Sequence, residues 1–306
     1  MTNDQMPDAP ARREVAWFLL VGAVGAIVGL LPWLTTGPFL PLQNLENTDD
    51  VSRLGPLVLL PFSQYEITTI IVLLVVGGAA AGIVARAQGS RPGLVRGTAT
   101  VGGLAVVQLV AIVQTALTTR SVLQHRLESI FYLVLLVAVC ALVVVVSLLT
   151  ASLLSSAPRA GAGVALSIGA MAAGIWIGAW MTLPFTFDSP FSAVLPLTFF
   201  LGPALVGAAI AWTGIDTVGR VVAAVIGLVL VWVVPPLTTA LASSAGSRVL
   251  ANSLPDMADY GVSVFFAALS MPDLALPSLA VTIVVAVVGL VVRRFLRRRR
   301  DASPRG

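Results

Sequence analysis

The chain has one cysteine, one histidine and no lysine. A lone Cys140 excludes an intrachain disulfide, and Cys140 with His125 supplies no ligand cluster for a catalytic or structural metal. Charge is scarce as well. Only 10% of the residues are charged, and no acidic or basic side chain falls deep within any long apolar stretch. Proton pumps and many ion-coupled carriers keep a carboxylate or histidine near the middle of the bilayer, where it is costly and therefore functional. This chain offers none. It also shows no serine-protease triad and no phosphate-binding loop, so the expectation is a protein without catalytic constellation, cofactor or metal.

What the chain has is apolar surface. Of its 306 residues 58% are hydrophobic, and the mean hydropathy is +0.98. A soluble domain of that length needs more polar residues to cover its core. A hydrocarbon slab of about 30 Å instead requires runs of roughly 20 apolar residues, each a helix because lipid satisfies no backbone group. Eight such runs are predicted, at 15–34, 67–85, 94–119, 130–154, 161–183, 191–212, 218–242 and 274–292. The fold class expected is an all-α polytopic membrane protein with eight transmembrane helices. The first run is too long for a signal-peptide core and lacks a small-residue cleavage site after it, so it reads as an anchor.

All eighteen basic residues are arginines, set among abundant Ala, Val, Leu and Gly. That bias fits a GC-rich bacterial genome, hence a bacterial plasma membrane. With the N-terminus placed in the cytoplasm, fourteen arginines fall inside and four (Arg53, Arg120, Arg126 and Arg248) outside. This is the positive-inside asymmetry. It predicts that both termini are cytoplasmic, with tails at 1–14 and 293–306. The second tail carries Arg293, Arg294, Arg297, Arg298, Arg299 and Arg300, expected to anchor the last helix at anionic lipid headgroups. A protein partner in the membrane is the second possibility. Nucleic acid is not expected, because no aromatic or glycine-rich recognition pattern accompanies the charge.

The eight runs divide into two halves of four, 15–158 and 159–292. The third and seventh runs rhyme, from Arg96 through Gly103-Leu104 and from Arg220 through Gly227-Leu228, which raises the possibility of a parallel internal repeat. Gly22, Gly25 and Gly29 in the first run, and Ala170, Gly174 and Gly178 in the fifth, have the spacing of close helix contacts. Those two runs are therefore expected at the centre, and the Val-rich fourth and eighth at the periphery. Pro196, Gly202 and Pro203 should break or kink the sixth run, and Pro235-Pro236 should bend the seventh. The segment LPDMADYGVSVFFAALSM in the last outer loop is apolar on one side but too short to cross. It should form a helix lying in the interface or dipping into the outer leaflet.

The main polar groups inside the runs are Gln108 and Gln114, about 9 Å apart along one helix and roughly 120° apart around it. Each either bonds a neighbouring helix or contacts a substrate. Outer carboxylates cluster in QNLENTDD (Glu46, Asp49, Asp50), where the spacing matches no EF-hand loop. Two functional classes follow. One is a transporter or permease-like component for a neutral or amphiphilic small molecule, with amides and backbone at its site; it predicts a polar opening at mid-depth near Gln108. The other is a non-catalytic scaffold or accessory subunit of a cell-envelope complex. A third, weaker class is an enzyme acting on lipid-linked substrates with Asp49, Asp50, Glu66 or Asp188.

Overall fold

A computed structural model describes residues 9–41, 55–88, 94–123, 126–182, 195–247 and 253–301. Ten α-helices account for nearly all of them: α1 (Ala9–Thr36), α2 (Ile67–Gln88), α3 (Leu94–Val122), α4 (Leu127–Ser156), α5 (Arg159–Thr182), α6 (Leu195–Thr198), α7 (Leu201–Thr213), α8 (Val218–Gly246), α9 (Leu254–Leu269) and α10 (Pro272–Asp301). Seven of these are long and apolar enough to span a membrane. The molecule is a polytopic all-α membrane protein.

The sixth predicted run is not one helix. It is the single turn α6, a turn at Phe199-Phe200, and the 13-residue α7, only about 20 Å long. Pro196 lies in α6, but Gly202 and Pro203 open α7 rather than interrupt it. Proline costs nothing in a first turn, where its missing N–H would have no helical partner anyway. In the seventh run α8 remains helical through Pro235 and Pro236. Thr238 and Thr239 both donate their hydroxyls to the Pro235 carbonyl, at 2.9 and 3.0 Å.

Ion pairs and carbonyl caps collect at one end of the bundle. Arg96 at the start of α3 pairs with Glu14 near the start of α1. Arg86 near the end of α2 donates to the carbonyls of Leu154 and Ala157 at the end of α4. Arg293 of α10 donates to Ala211 O and Trp212 O at the end of α7, at 2.9 and 3.0 Å. Successive long segments thus alternate in direction, and the first and last described helices have their outer ends on the same side. Arg293 is therefore a cap on α7 as well as part of the basic tail, and α10 continues helically through that tail to Asp301.

The centre is α2 rather than α1. It packs against α1, α3, α4 and α5, and its GGAAAG stretch presents small residues all round. Gly25 meets Ala81, while Gly82 meets Leu154 and Ala151. The fifth helix is central as expected, touching α2, α4, α7 and α8. The last, α10, is the least covered span.

Both halves use one neighbour plan. Numbering the spans one to four within each half, the pairs one–two, one–three, two–three, two–four and three–four are in contact, in α1, α2, α3, α4 and again in α5, α7, α8, α10. The details match as well. Ser147 of α4 donates to Leu74 O of α2 at 2.7 Å, and Thr282 of α10 donates to Pro203 O of α7 at 3.0 Å. One turn further, Gly78 closes on the Ser147 backbone, as Gly207 closes on Thr282 O, where a Cβ would come within 2.6 Å. Beyond that, Gly82 faces Leu154 and Ala211 faces Gly289, the small partner having changed sides.

The short α9 lies against α8. Ser244 donates to Met257 O and Trp232 to Leu269 O, anchor points separated by about 18 Å along α8. It therefore runs alongside that helix rather than across its end. Its N-terminus is capped by Ser253, which accepts from Asp256 N.

Candidate functional site

The two polar candidates inside the membrane serve as joints. Gln108 is 1% exposed, and its Nε2 donates to Leu74 O and Ser147 Oγ, both at 2.9 Å. Its Oε1 is buried without a partner among the described residues. Gln114 grips the segment that leads into α2, accepting from Leu59 N at 3.0 Å and donating to Leu57 O at 2.9 Å. Beside it Thr115 accepts from Leu60 N, and Trp33 donates to Val58 O. These bonds tie helix to helix and helix to loop. Gln108 is not on the lining of the cleft that the molecule does form.

A cleft of about 810 Å³ lies instead on another side of α2, between the two halves. That volume is in the range of small-molecule sites. One wall is α2, through Val76, Ala79, Ala80 and Ile83; the facing wall is α7, through Leu205, Ala208, Ala209 and Trp212. The two sets have the same spacing of three, one and three residues. The interval that carries Val76 to Leu205 also carries Leu74 to Pro203, Gly78 to Gly207 and Gly82 to Ala211. The walls are therefore equivalent faces of equivalent helices.

The floor is α5, through Leu166, Gly169, Ala170 and Ala173. Alanine and glycine there leave room that larger side chains would fill. Gly169 already touches Ala79, where a Cβ would come within 2.6 Å. Three lining side chains, Ile83, Leu205 and Trp212, remain 46%, 37% and 41% exposed, so the two walls diverge rather than seal.

One end of the cleft is basic. Arg86, Arg96 and Arg159 line it, with Ser155, and among the described residues no carboxylate does. Arg96 is paired with Glu14 and lies over the Phe18 ring. Arg86 is held by the two α4 carbonyls and lies 5.5 Å from the centre of the Trp212 ring, a cation–π arrangement that bridges the halves. Arg159, the first residue of α5, lines the same end of the cleft.

The other sequence candidates lie apart from this cleft. Pro235 and Pro236 sit in α8, while Gly202 meets α5 at Gly174. Of the basic tail, Arg294 and Arg298 are exposed; the side chains of Arg297, Arg299 and Arg300 lie outside the described residues. Glu46, Asp49, Asp50, His125 and Asp188 also lie outside them. No group of carboxylate, histidine and cysteine residues able to hold a metal occurs among the described residues. Reading the sequence missed the cleft, since its walls are alanines and valines like those on any packed face. Only the common spacing on two helices marks them, and that shows once the helices are superposed. No family model, curated protein or solved structure matches the chain.

Proposed function

We propose that the protein is a permease-like carrier for an amphiphilic molecule, which it takes up in the cleft between two copies of a four-helix repeat. The supporting observation is the pairing of the walls, Val76, Ala79, Ala80 and Ile83 against Leu205, Ala208, Ala209 and Trp212. In transporters built from parallel repeats the site lies at the repeat interface, often beside a discontinuous helix, and access alternates as one half rocks against the other. Here the interrupted element, α6–α7, forms one wall. The cleft interior is apolar and its end is cationic, which suits a molecule with a greasy body and a polar head. The basic end is the cytoplasmic one in this reading, in line with the arginine asymmetry.

Vesicles carrying the purified protein test the proposal. A fluorescently tagged amphiphile should cross between leaflets faster than in protein-free vesicles. Ala208→Trp, which fills the cleft from an exposed position, should return the rate to background with the melting temperature unchanged. Equal rates with and without the wild-type protein would overturn the transport reading. A stoichiometric protein co-purifying in gentle detergent would then favour the accessory-subunit class.

A further inference from the structure

The cationic end of the cleft is more specific than a row of membrane-facing arginines. A basic residue at the start of a helix meets the positive end of the helix dipole, an unfavourable place for it. Arg159 stands there, on α5, and shares the basic end of the cleft with a second guanidinium, Arg86. Among the described residues neither is paired with a carboxylate, whereas the third arginine of the lining, Arg96, is neutralised by Glu14. Two like charges thus line one space with no carboxylate beside them among the described residues.

Arg86 is also fixed in orientation. Two of its five N–H donors go to Leu154 O and Ala157 O, and Trp212 supports the guanidinium. Three donors remain, and an anchored planar guanidinium suits the oxygens of a phosphate. From Arg86 the α2 wall runs inward for about 15 Å to Val76 along alanine and aliphatic side chains, a length suited to an acyl chain.

We infer that the cleft selects an anionic phospholipid, with its phosphate between Arg86 and Arg159 and an acyl chain along the faces of α2 and α7. The inference rests on the reading of the cleft as the amphiphile site, and it adds the charge and chemical class of the head.

The test is native mass spectrometry of the full chain released from nanodiscs with equal amounts of phosphatidylglycerol and phosphatidylcholine bearing identical acyl chains. The wild-type protein should retain phosphatidylglycerol with an enrichment of about tenfold, because both lipids carry the phosphate and the choline ammonium of phosphatidylcholine is repelled by the two guanidinium groups. Arg159→Gln should bring the enrichment close to one while the amount of bound lipid stays the same. Arg294→Gln combined with Arg298→Gln should leave it in place, since those exposed arginines belong to the tail. Ala208→Trp should remove retained lipid of both kinds.

Enrichment that survives Arg159→Gln, or disappears in the tail variant alone, overturns the headgroup assignment and leaves the cleft as a lipid site. Lipid that survives Ala208→Trp overturns the cleft reading itself. Inorganic phosphate at constant ionic strength should not displace the lipid; displacement would make the free anion, rather than the lipid, the ligand.

Discussion

The two halves share a plan but differ in how tightly they execute it. In the first, α2 is enclosed by three helices of its own half and by α5, and 61% of its central window is buried. In the second, the equivalent α7 is short but mostly buried, while α8 and α10 bury 22% and 17% of their most apolar stretches, where the equivalent α3 and α4 bury 39% and 33%. The first half also has an outer cap, residues 55–66, bolted on through Gln114, Thr115, Trp33 and Tyr132. The comparison teaches that one arrangement of four helices can serve as a rigid block or as a looser one. A small-residue face on the second helix sets the neighbour plan; the length of that helix and the cap over it set the rigidity.

The largest expected effect comes from the close helix contacts that both halves use. Gly78→Leu and Gly207→Leu each force a side chain into the backbone of the fourth helix of the half, at a cost of about 3 kcal/mol or more. Thermal unfolding in detergent should show both variants strongly destabilised. A large loss for Gly78→Leu with none for Gly207→Leu would break the equivalence. Next are the arginine caps. Arg293→Ala leaves Ala211 O and Trp212 O without their donor and should cost about 1–2 kcal/mol. It should do so by loosening α7, seen as faster amide exchange there than in α2.

A smaller effect should be confined to the first half. Gln114→Leu removes the bonds to Leu57 and Leu59, at about 1 kcal/mol, and should expose residues 55–66 to added protease while α7 is unaffected. The matched pair of hydroxyl clamps gives the finest comparison. Ser147→Ala deletes two interhelical bonds, the one donated to Leu74 O and the one accepted from Gln108, while Thr282→Val deletes one. At about 0.6 kcal/mol each, the melting temperature should fall by a small amount in both and further in Ser147→Ala. Gln108→Leu should be the mildest of all, below about 1 kcal/mol. Leu74 O keeps its bond from Ser147, and the unpartnered Oε1 is removed with the side chain.

Several features were legible in the residues. The apolar runs gave the helices, the arginines their alternation, and LPDMADYGVSVFFAALSM a helix outside the crossing set. The glycine spacings in α1 and α5 marked real contacts: Gly29 packs on α2 and Gly174 on Gly202. Other features misled. The break expected in the sixth run is present, but it falls at Phe199-Phe200, ahead of Gly202 and Pro203, because a proline in the first turn costs the helix nothing. Small residues also pointed to α1 as central, because periodicity reports one face and α2 is small on all of them. Gln108 and Gln114 stood out as the polar residues within the spans, but whether a buried amide meets a helix or a substrate depends on what lies across from it.

By itself the sequence determined the solvent of this protein and the alternation of its helices, because transferring charge into hydrocarbon is costly enough to be decided residue by residue. Tertiary structure alone decided that α2 and α7 face each other across a gap, and that Arg86 and Arg159 share its end. Those relations join residues far apart in the chain through the packing of helices with nearly identical composition. No local pattern distinguishes an alanine that fills a contact from one that leaves a cleft.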